Sequence, residues 1–165
     1  MKYFIVCIIV FTSGYIGKLF AEKYKNRVNF YGLLLKFADF LVLNIYHLHD
    51  DILNIIEKFI ENNKSKYSKD LLLIKSMIKN DYCSTDQIGE LKLCRDLNDI
   101  EIKEFCEFIN LLGKSNLSSQ VNIISNYKSI FESKYNEALG ENKQKGTLLN
   151  KISISIGVLF CIIIL

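Results

Sequence analysis

The stretch "NDIEIKEFCEFINLLGKSNLSSQ", residues 98–120, decides the fold. It opens with a capping-box pattern, because Glu101 follows Asn98 by three residues. Apolar residues then recur at helical spacing until Gly113, and glycine at that point is a common helix stop. We therefore predict a helix over residues 99–112.

The tripeptide Lys114-Ser115-Asn116 forms the turn, and Asn116 is the expected N-cap of a second, longer helix. Two helices joined by such a short turn pack antiparallel, so the stretch predicts a helical hairpin. The apolar stripe of the second helix has a near-heptad rhythm. Its members are Leu117, Gln120, Val121, Ile124, Tyr127, Phe131, Tyr135 and Ala138.

Three further apolar stripes precede the hairpin, and no proline occurs anywhere in the chain. They cover about residues 30–48, 52–60 and 71–78, each with the three-four spacing of a helix face. Residues 80–95 are ambiguous, because "CSTDQIGE" is typical of a turn while the leucines after it could cover a core. The fold class that we predict is all-α, a small antiparallel helical bundle.

Both ends of the chain are apolar. Tyr3–Gly17 is uncharged and extends to Ala21 if the Lys18 ammonium reaches the interface, which gives roughly 28 Å of helix, enough to cross a bilayer. At the other end, Ile152–Leu165 would make roughly 21 Å of helix, a short span or a membrane anchor. We expect membrane-anchoring helices at both ends.

Basic residues flank the inner side of both apolar ends and set the predicted orientation. The positive-inside bias places both flanks in the cytoplasm, so residues 1–21 are an N-terminal transmembrane helix, 22–150 a cytoplasmic helical bundle and 151–165 a short transmembrane or anchoring helix. The rival interpretation is a signal peptide cleaved after Gly14. The flanking cations are Lys18, Lys23, Lys25, Arg27, Lys143, Lys145 and Lys151.

Charge and cysteine content exclude some classes. The net charge of +3 is dispersed, so we expect no nucleic-acid partner. The cysteines between the apolar ends, Cys83, Cys94 and Cys106, match no metal pair and no even disulfide framework. We expect free thiols in a reducing compartment.

The segment "YHLHDDI" contains both histidines of the chain and is the strongest candidate for chemistry. His47, His49, Asp50 and Asp51 are metal-ligand types, as in a metal-dependent enzyme. However, residues two apart on a helix point roughly 200° from each other, so the two imidazoles share a metal only if the backbone is extended. We interpret the cluster as a boundary between helices, with the aspartates as helix caps.

Other candidates are weaker. "GENKQKGT", residues 140–147, lacks the ending of a phosphate loop and follows a helix where the motif needs a strand. Glu101, Glu104 and Glu107 fall on the polar side of their helix, which predicts a solvated face. Cys106 lies inside an apolar stripe. We predict no enzyme, no cofactor, no bound metal and no small-molecule substrate.

The chain resembles stage III sporulation protein AB of endospore-forming bacteria. The match is carried by "YIGKLFAEKYKNR" at 15–27, "FINLLGKSNLSSQ" at 108–120 and "SIGVLFCIIIL" at 155–165. The chain departs from the family at Ile109, where glycine is usual, at Asn116, where aspartate is preferred, and in lacking the tryptophan typical of the middle of the domain. The "HLHDDI" segment stands where the family turns from one helix into the next.

The resemblance implies a non-enzymatic subunit of the membrane complex that links mother cell and forespore. The family's soluble domain is similar to the cytoplasmic domain of type II secretion inner-membrane platform proteins, so the implied partners are the membrane, a secretion-type ATPase and other sporulation membrane subunits. The implied location is the mother-cell side, in the outer forespore membrane, with the soluble domain cytoplasmic. Four residues then shape the central hairpin in a structural role: Leu112, Gly113, Asn116 and Gln120.

Two other classes stay open at this point. One is an unrelated membrane-tethered coiled-coil adaptor that oligomerises through residues 117–139, or an exported protein. The other is a metal-dependent enzyme at the histidine cluster.

Overall fold

The computed structural model describes residues 2–48, 51–63 and 67–164. Helices account for 84% of the chain, and the described ranges contain no strand, which confirms the all-α prediction. A π-helical turn, Asn142–Gly146, joins the last two α-helices. The α-helices are α1 (Lys2–Leu48), α2 (Ile52–Asn62), α3 (Ser68–Lys79), α4 (Thr85–Gly89), α5 (Asp99–Leu111), α6 (Leu117–Glu141) and α7 (Thr147–Ile164).

The internal contacts divide the chain into two compact units. The central unit is Phe30–Lys134, and the terminal unit combines residues 1–29 with 135–165. The three-part division at residues 21 and 150 stays a prediction, because contacts within a chain do not report where a membrane lies.

Amphipathic helices build the core of the central unit. In α2 the predicted stripe is buried in full, with Ile55, Ile56 and Phe59 at most 1% exposed. The Phe59 ring lies 5.0 Å from Phe37 and 5.4 Å from Phe40, both on α1. Asp51 occupies the N-cap position of α2, as predicted, but its side chain makes no capping hydrogen bond.

The predicted hairpin is present in the central unit. The Phe108 ring of α5 lies 5.1 Å from Tyr127 and 5.2 Å from Phe131 of α6. Glu104, one turn earlier on α5, pairs with Lys134 at 3.8 Å. Because partners earlier on α5 meet residues later on α6, the two helices are antiparallel.

The structure resolves the ambiguous residues 80–95. Ser84 and Gln87 form a complete capping box that starts the short helix α4. Further on, the buried carboxylate of Asp70 accepts a hydrogen bond of 2.7 Å from the Leu93 N–H. That bond holds the turn after α4 against α3. Four side chains of this region are buried, namely Ile88, Leu91, Leu93 and Cys94.

In the terminal unit, α1 and α7 approach closely through small residues. A Cβ on Gly17 would lie 2.5 Å from the Ser153 side chain. The Ser13 hydroxyl donates to the Ser153 carbonyl. Ser13, Gly17 and Ala21 follow each other at four-residue spacing, the pattern that lets membrane helices approach closely.

One helix of the described chain is long and apolar enough to cross a membrane, by length and composition. It covers Thr12–Tyr46 of α1, close to the N-terminus, and its most apolar stretch of 18 residues has a mean hydropathy of 1.4. Its later part belongs to the buried core from Phe30 to Ile45, so packing explains the hydropathy there. The uncharged segment Tyr3–Gly17 at the start of α1 indicates membrane association. The anchor at 151–165, of which residues 151–164 lie in α7, stays a prediction.

Candidate functional site

The turn between α5 and α6 holds the four residues that the sequence singled out. Leu112 ends α5 with an extended backbone, and its side chain is 2% exposed. Gly113 follows with φ of +83°, a left-handed conformation in which a side chain clashes with the backbone. The glycine therefore permits the chain to reverse directly after the buried leucine.

Asn116 and Gln120 fix the start of α6. The Asn116 carboxamide oxygen accepts from the Ser119 N–H at 2.9 Å, which caps the helix. The Gln120 amide, 1% exposed, donates to the Leu111 carbonyl at 3.0 Å and to the Ser115 hydroxyl at 2.8 Å. One side chain thus ties the end of α5 to the turn and to α6. Its Oε1 has no hydrogen-bond partner in the described structure.

The same turn is held from outside by the α3–α4 connection. Lys114 pairs with Asp81 at 2.7 Å, and Asp81 itself has φ of +56°. The site is therefore a braced turn, in which the Gln120 hydrogen bonds and the Lys114–Asp81 pair hold the end of α5 and the start of α6 in place.

Glu101 departs from the sequence interpretation. The sequence predicts a solvated Glu101 carboxylate, and this prediction is wrong, because Glu101 is only 2% exposed. Its Oε1 accepts from the Tyr31 hydroxyl at 2.7 Å, and its Oε2 accepts from the Asn98 N–H at 3.0 Å. The capping box turns the carboxylate back over the helix start, where α1 covers it. The signal was present, since Glu101 precedes buried Phe105 and Phe108 by four and seven residues.

The three central cysteines are buried free thiols. The Cys83 and Cys106 sulfurs lie 3.5 Å apart, and Cys106 Sγ donates to the Cys83 carbonyl at 3.3 Å. Burial, with smaller effects of the hydrogen bond and charge of Cys106, raises the pKa of Cys83 to about 12. Burial, with a smaller effect of the nearby Asp70 charge, raises the pKa of Cys94 to about 12. Both thiols are therefore protonated at neutral pH, the form that is weak as a nucleophile and as a metal ligand.

The histidine cluster lies at the predicted boundary, because α1 ends at Leu48 and α2 begins at Ile52. The alternative metal site stays untested. His47 lies in the last turn of α1, but its side chain is outside the described structure, as are His49 and Asp50. Among the residues that are described, no three His, Cys, Asp or Glu side chains come together in a way that could hold a metal ion.

An ion-pair network lies in the terminal unit. Arg27, one of the predicted flanking cations, has a side chain only 13% exposed and pairs with Glu137 at 3.1 Å and with Glu141. Glu141 also accepts from Lys145 at 2.6 Å. The Lys145 hydrogen bond and, secondarily, the Arg27 charge lower the pKa of Glu141 despite its partial burial.

The protein belongs to the class of helical-bundle proteins with an apolar N-terminal helix that indicates membrane association. The braced α5–α6 hairpin is part of that bundle. Stage III sporulation protein AB is the family whose model matches, over residues 2–165. The chain belongs to that family, and it is a sporulation protein. This excludes the unrelated coiled-coil adaptor as an identity. No curated protein and no solved structure matches the chain.

Proposed function

We propose that the chain is a non-enzymatic, membrane-anchored adaptor of the sporulation complex that links mother cell and forespore. The observation that carries the proposal is the family match across residues 2–165. The apolar N-terminal helix supports the anchoring. In this role the protein sits on the mother-cell side, in the outer forespore membrane, with its helical bundle in the cytoplasm.

We further propose that the bundle positions a secretion-type ATPase and contacts other membrane subunits of the complex. The braced α5–α6 turn supports this role, because a turn held by Gln120 and the Lys114–Asp81 pair keeps two helices at a fixed angle. A motor that pulls or pushes needs a rigid support. Nucleotide hydrolysis then belongs to the ATPase, and this chain supplies no catalytic group.

The experiment is deletion of the gene in the source organism, followed by microscopy, spore counts and fractionation of the ATPase. We expect engulfed forespores that fail to mature and an ATPase that shifts from the membrane fraction to the soluble fraction. Normal spores would contradict the role in spore formation. Failed spores with an ATPase that stays on the membrane would contradict the positioning role alone.

Complementation separates the adaptor from an enzyme. Wild type and the double variant His47→Ala, His49→Ala should both rescue spore formation, because the adaptor needs no imidazole. Rescue by wild type only, with zinc bound stoichiometrically to the purified wild-type chain, would instead establish a metal site.

A further inference from the structure

A cavity of about 580 Å³ opens in the terminal unit between α1, the π-turn and α7. Its volume falls within the roughly 300 to 1,000 Å³ of typical small-ligand sites. Lys18 and Lys25 line it from α1, and Lys143 and Lys151 line it from the π-turn and α7. Among the described residues of the wall, Glu22 is the one carboxylate, so four lysines and a single acidic residue line the cavity.

The backbone creates this space. The π-turn inserts an extra residue into an otherwise continuous helix, and such bulges occur frequently at functional sites. Within it, Gly146 is buried and lines the cavity, where a Cβ would come within 3.0 Å of the Asn142 side chain. Ala21 lines the opposite wall from α1. Small residues on both sides thus keep the cavity open.

The four lysines have no carboxylate partner among the ion pairs of the described residues. Lysines elsewhere in the chain do pair, for example Lys145 with Glu141 at 2.6 Å and Lys128 with Asp39 at 2.5 Å. Converging cations repel each other, and an anion bound among them removes that repulsion. Lysine ammonium groups bind phosphate as point charges.

The positions of the lining lysines in the sequence indicate where the anion comes from. Lys18 directly follows the uncharged segment Tyr3–Gly17, and Lys151 directly precedes the apolar segment Ile152–Leu165. The lysines therefore mark the level at which both apolar segments end, where lipid headgroups lie. Ile154 adds an apolar wall on the α7 side. Basic pockets between membrane helices are typical headgroup sites.

We propose that this cavity binds the phosphate headgroup of an anionic glycerophospholipid. The inference rests on the membrane anchoring in the proposed function and is independent of the adaptor role. The lipid phosphate sits among the four ammonium groups, and the acyl chains follow the apolar segments of α1 and α7. A bound lipid then fastens the start of α7 to α1.

The test uses the full chain in nonionic detergent, titrated with short-chain phosphatidylglycerol, with phosphatidylcholine and with inorganic phosphate. We expect saturable binding of phosphatidylglycerol only. In the variant Lys143→Gln, Lys151→Gln, affinity should fall roughly fivefold for each lysine, about 25-fold in total. The matched control is Lys23→Gln, Lys36→Gln, which removes two exposed charges that do not line the cavity and should bind like wild type.

A second variant tests the cavity itself without a change of charge. Ala21→Phe fills the space and should abolish binding, whereas Leu19→Phe, at an exposed position on the same helix, should not. Equal binding by all variants, or equal binding of phosphatidylcholine, would overturn the proposal. Displacement of the lipid by millimolar inorganic phosphate would assign the site to a soluble anion instead.

Membrane extraction separates this inference from the proposed function. If alkaline carbonate releases the chain from membranes, the anchoring itself is wrong. If the chain stays in the membrane and binds phosphatidylglycerol no better than phosphatidylcholine, only the proposed lipid site is wrong.

Discussion

At the scale of single residues, several buried polar groups form hydrogen bonds that hold separate segments of the chain together. Gln120 ties the turn to both hairpin helices, Asp70 holds the Leu93 N–H, and Glu101 joins the start of α5 to Tyr31. Each replaces water with protein partners, which offsets the cost of burying a polar group. Loss of one partner is therefore more costly than its single hydrogen bond suggests.

Gly113 offers the sharpest test at this scale. Replacement by alanine should destabilise the protein by about 1 to 2 kcal/mol, because the position has φ of +83°. Gly140 is the matched control: it lies inside α6 with nothing within 4 Å of an added Cβ. Gly140→Ala should stabilise the helix by about 0.5 to 1 kcal/mol. Thermal unfolding of both variants checks the opposite signs, and destabilisation by both would refute the backbone explanation.

At the scale of elements, two close helix contacts shape the chain. The α5–α6 hairpin packs through large rings, Phe108 against Tyr127 and Phe131. The α1–α7 pair of the terminal unit instead packs through small residues, with Gly17 against Ser153. In water, burial of large apolar rings drives association. In a lipid bilayer, where we propose that the α1–α7 pair lies, that driving force is absent and close backbone approach takes its place.

The small-residue contact predicts a difference between two glycines of the same helix. Gly17→Ala should cost about 1 to 3 kcal/mol, because the new methyl group meets the Ser153 side chain. Gly14→Ala has open space around it and should be neutral or slightly stabilising. Adding Ser153→Gly to Gly17→Ala should restore stability. Thermal unfolding in detergent measures all three, and a double variant no better than Gly17→Ala would argue against the contact.

The ion pairs of Glu141 predict a dependence on pH. Lys145 and Arg27 lower its pKa in the folded state, so the carboxylate contributes stability above its unfolded pKa and loses that contribution as the pH falls through the folded pKa. Glu141→Gln should therefore lower the melting temperature at pH 7 and have little effect at an acidic pH below the folded pKa, where both states are protonated. Glu137→Gln, at a side chain 55% exposed, should change stability less at pH 7. An equal loss at both pH values would show that the charge is not the cause.

At the scale of the whole molecule, closure of the central unit buries three thiols contributed by separate parts of the chain. Cys83 precedes α4, Cys94 follows it and Cys106 lies in α5, yet all three are at most 7% exposed. Their burial depends on the assembled helices, so their reactivity reports the integrity of the unit.

The burial of the thiols predicts that they are protected from thiol reagents at neutral pH and that the protein loses stability in alkali. Cys83, Cys94 and Cys106 should resist maleimide at neutral pH and react after denaturation, as peptide mapping by mass spectrometry would show. Because the folded pKa of Cys83 is raised from 9.0 to about 12, its protonated form adds stability below pH 9 that is lost as the pH rises towards 12. Cys83→Ala should flatten that loss. Rapid labelling of all three in the native protein would contradict the buried cluster.

The sequence by itself determined the helical fold class and most local features of the hairpin. Local spacing predicts the caps at Asn98 and Asn116, the helix stop at Gly113 and the apolar face of α2. Helix period and cap chemistry act within a few residues, so they can be seen in the sequence. The family also followed from motifs spread along the chain. Only the tertiary structure decided which polar groups are buried, as at Glu101 and Asp70, which thiols meet, and where lysines far apart in sequence surround one cavity. Those features depend on contacts between distant segments, and local periodicity carries no information about them.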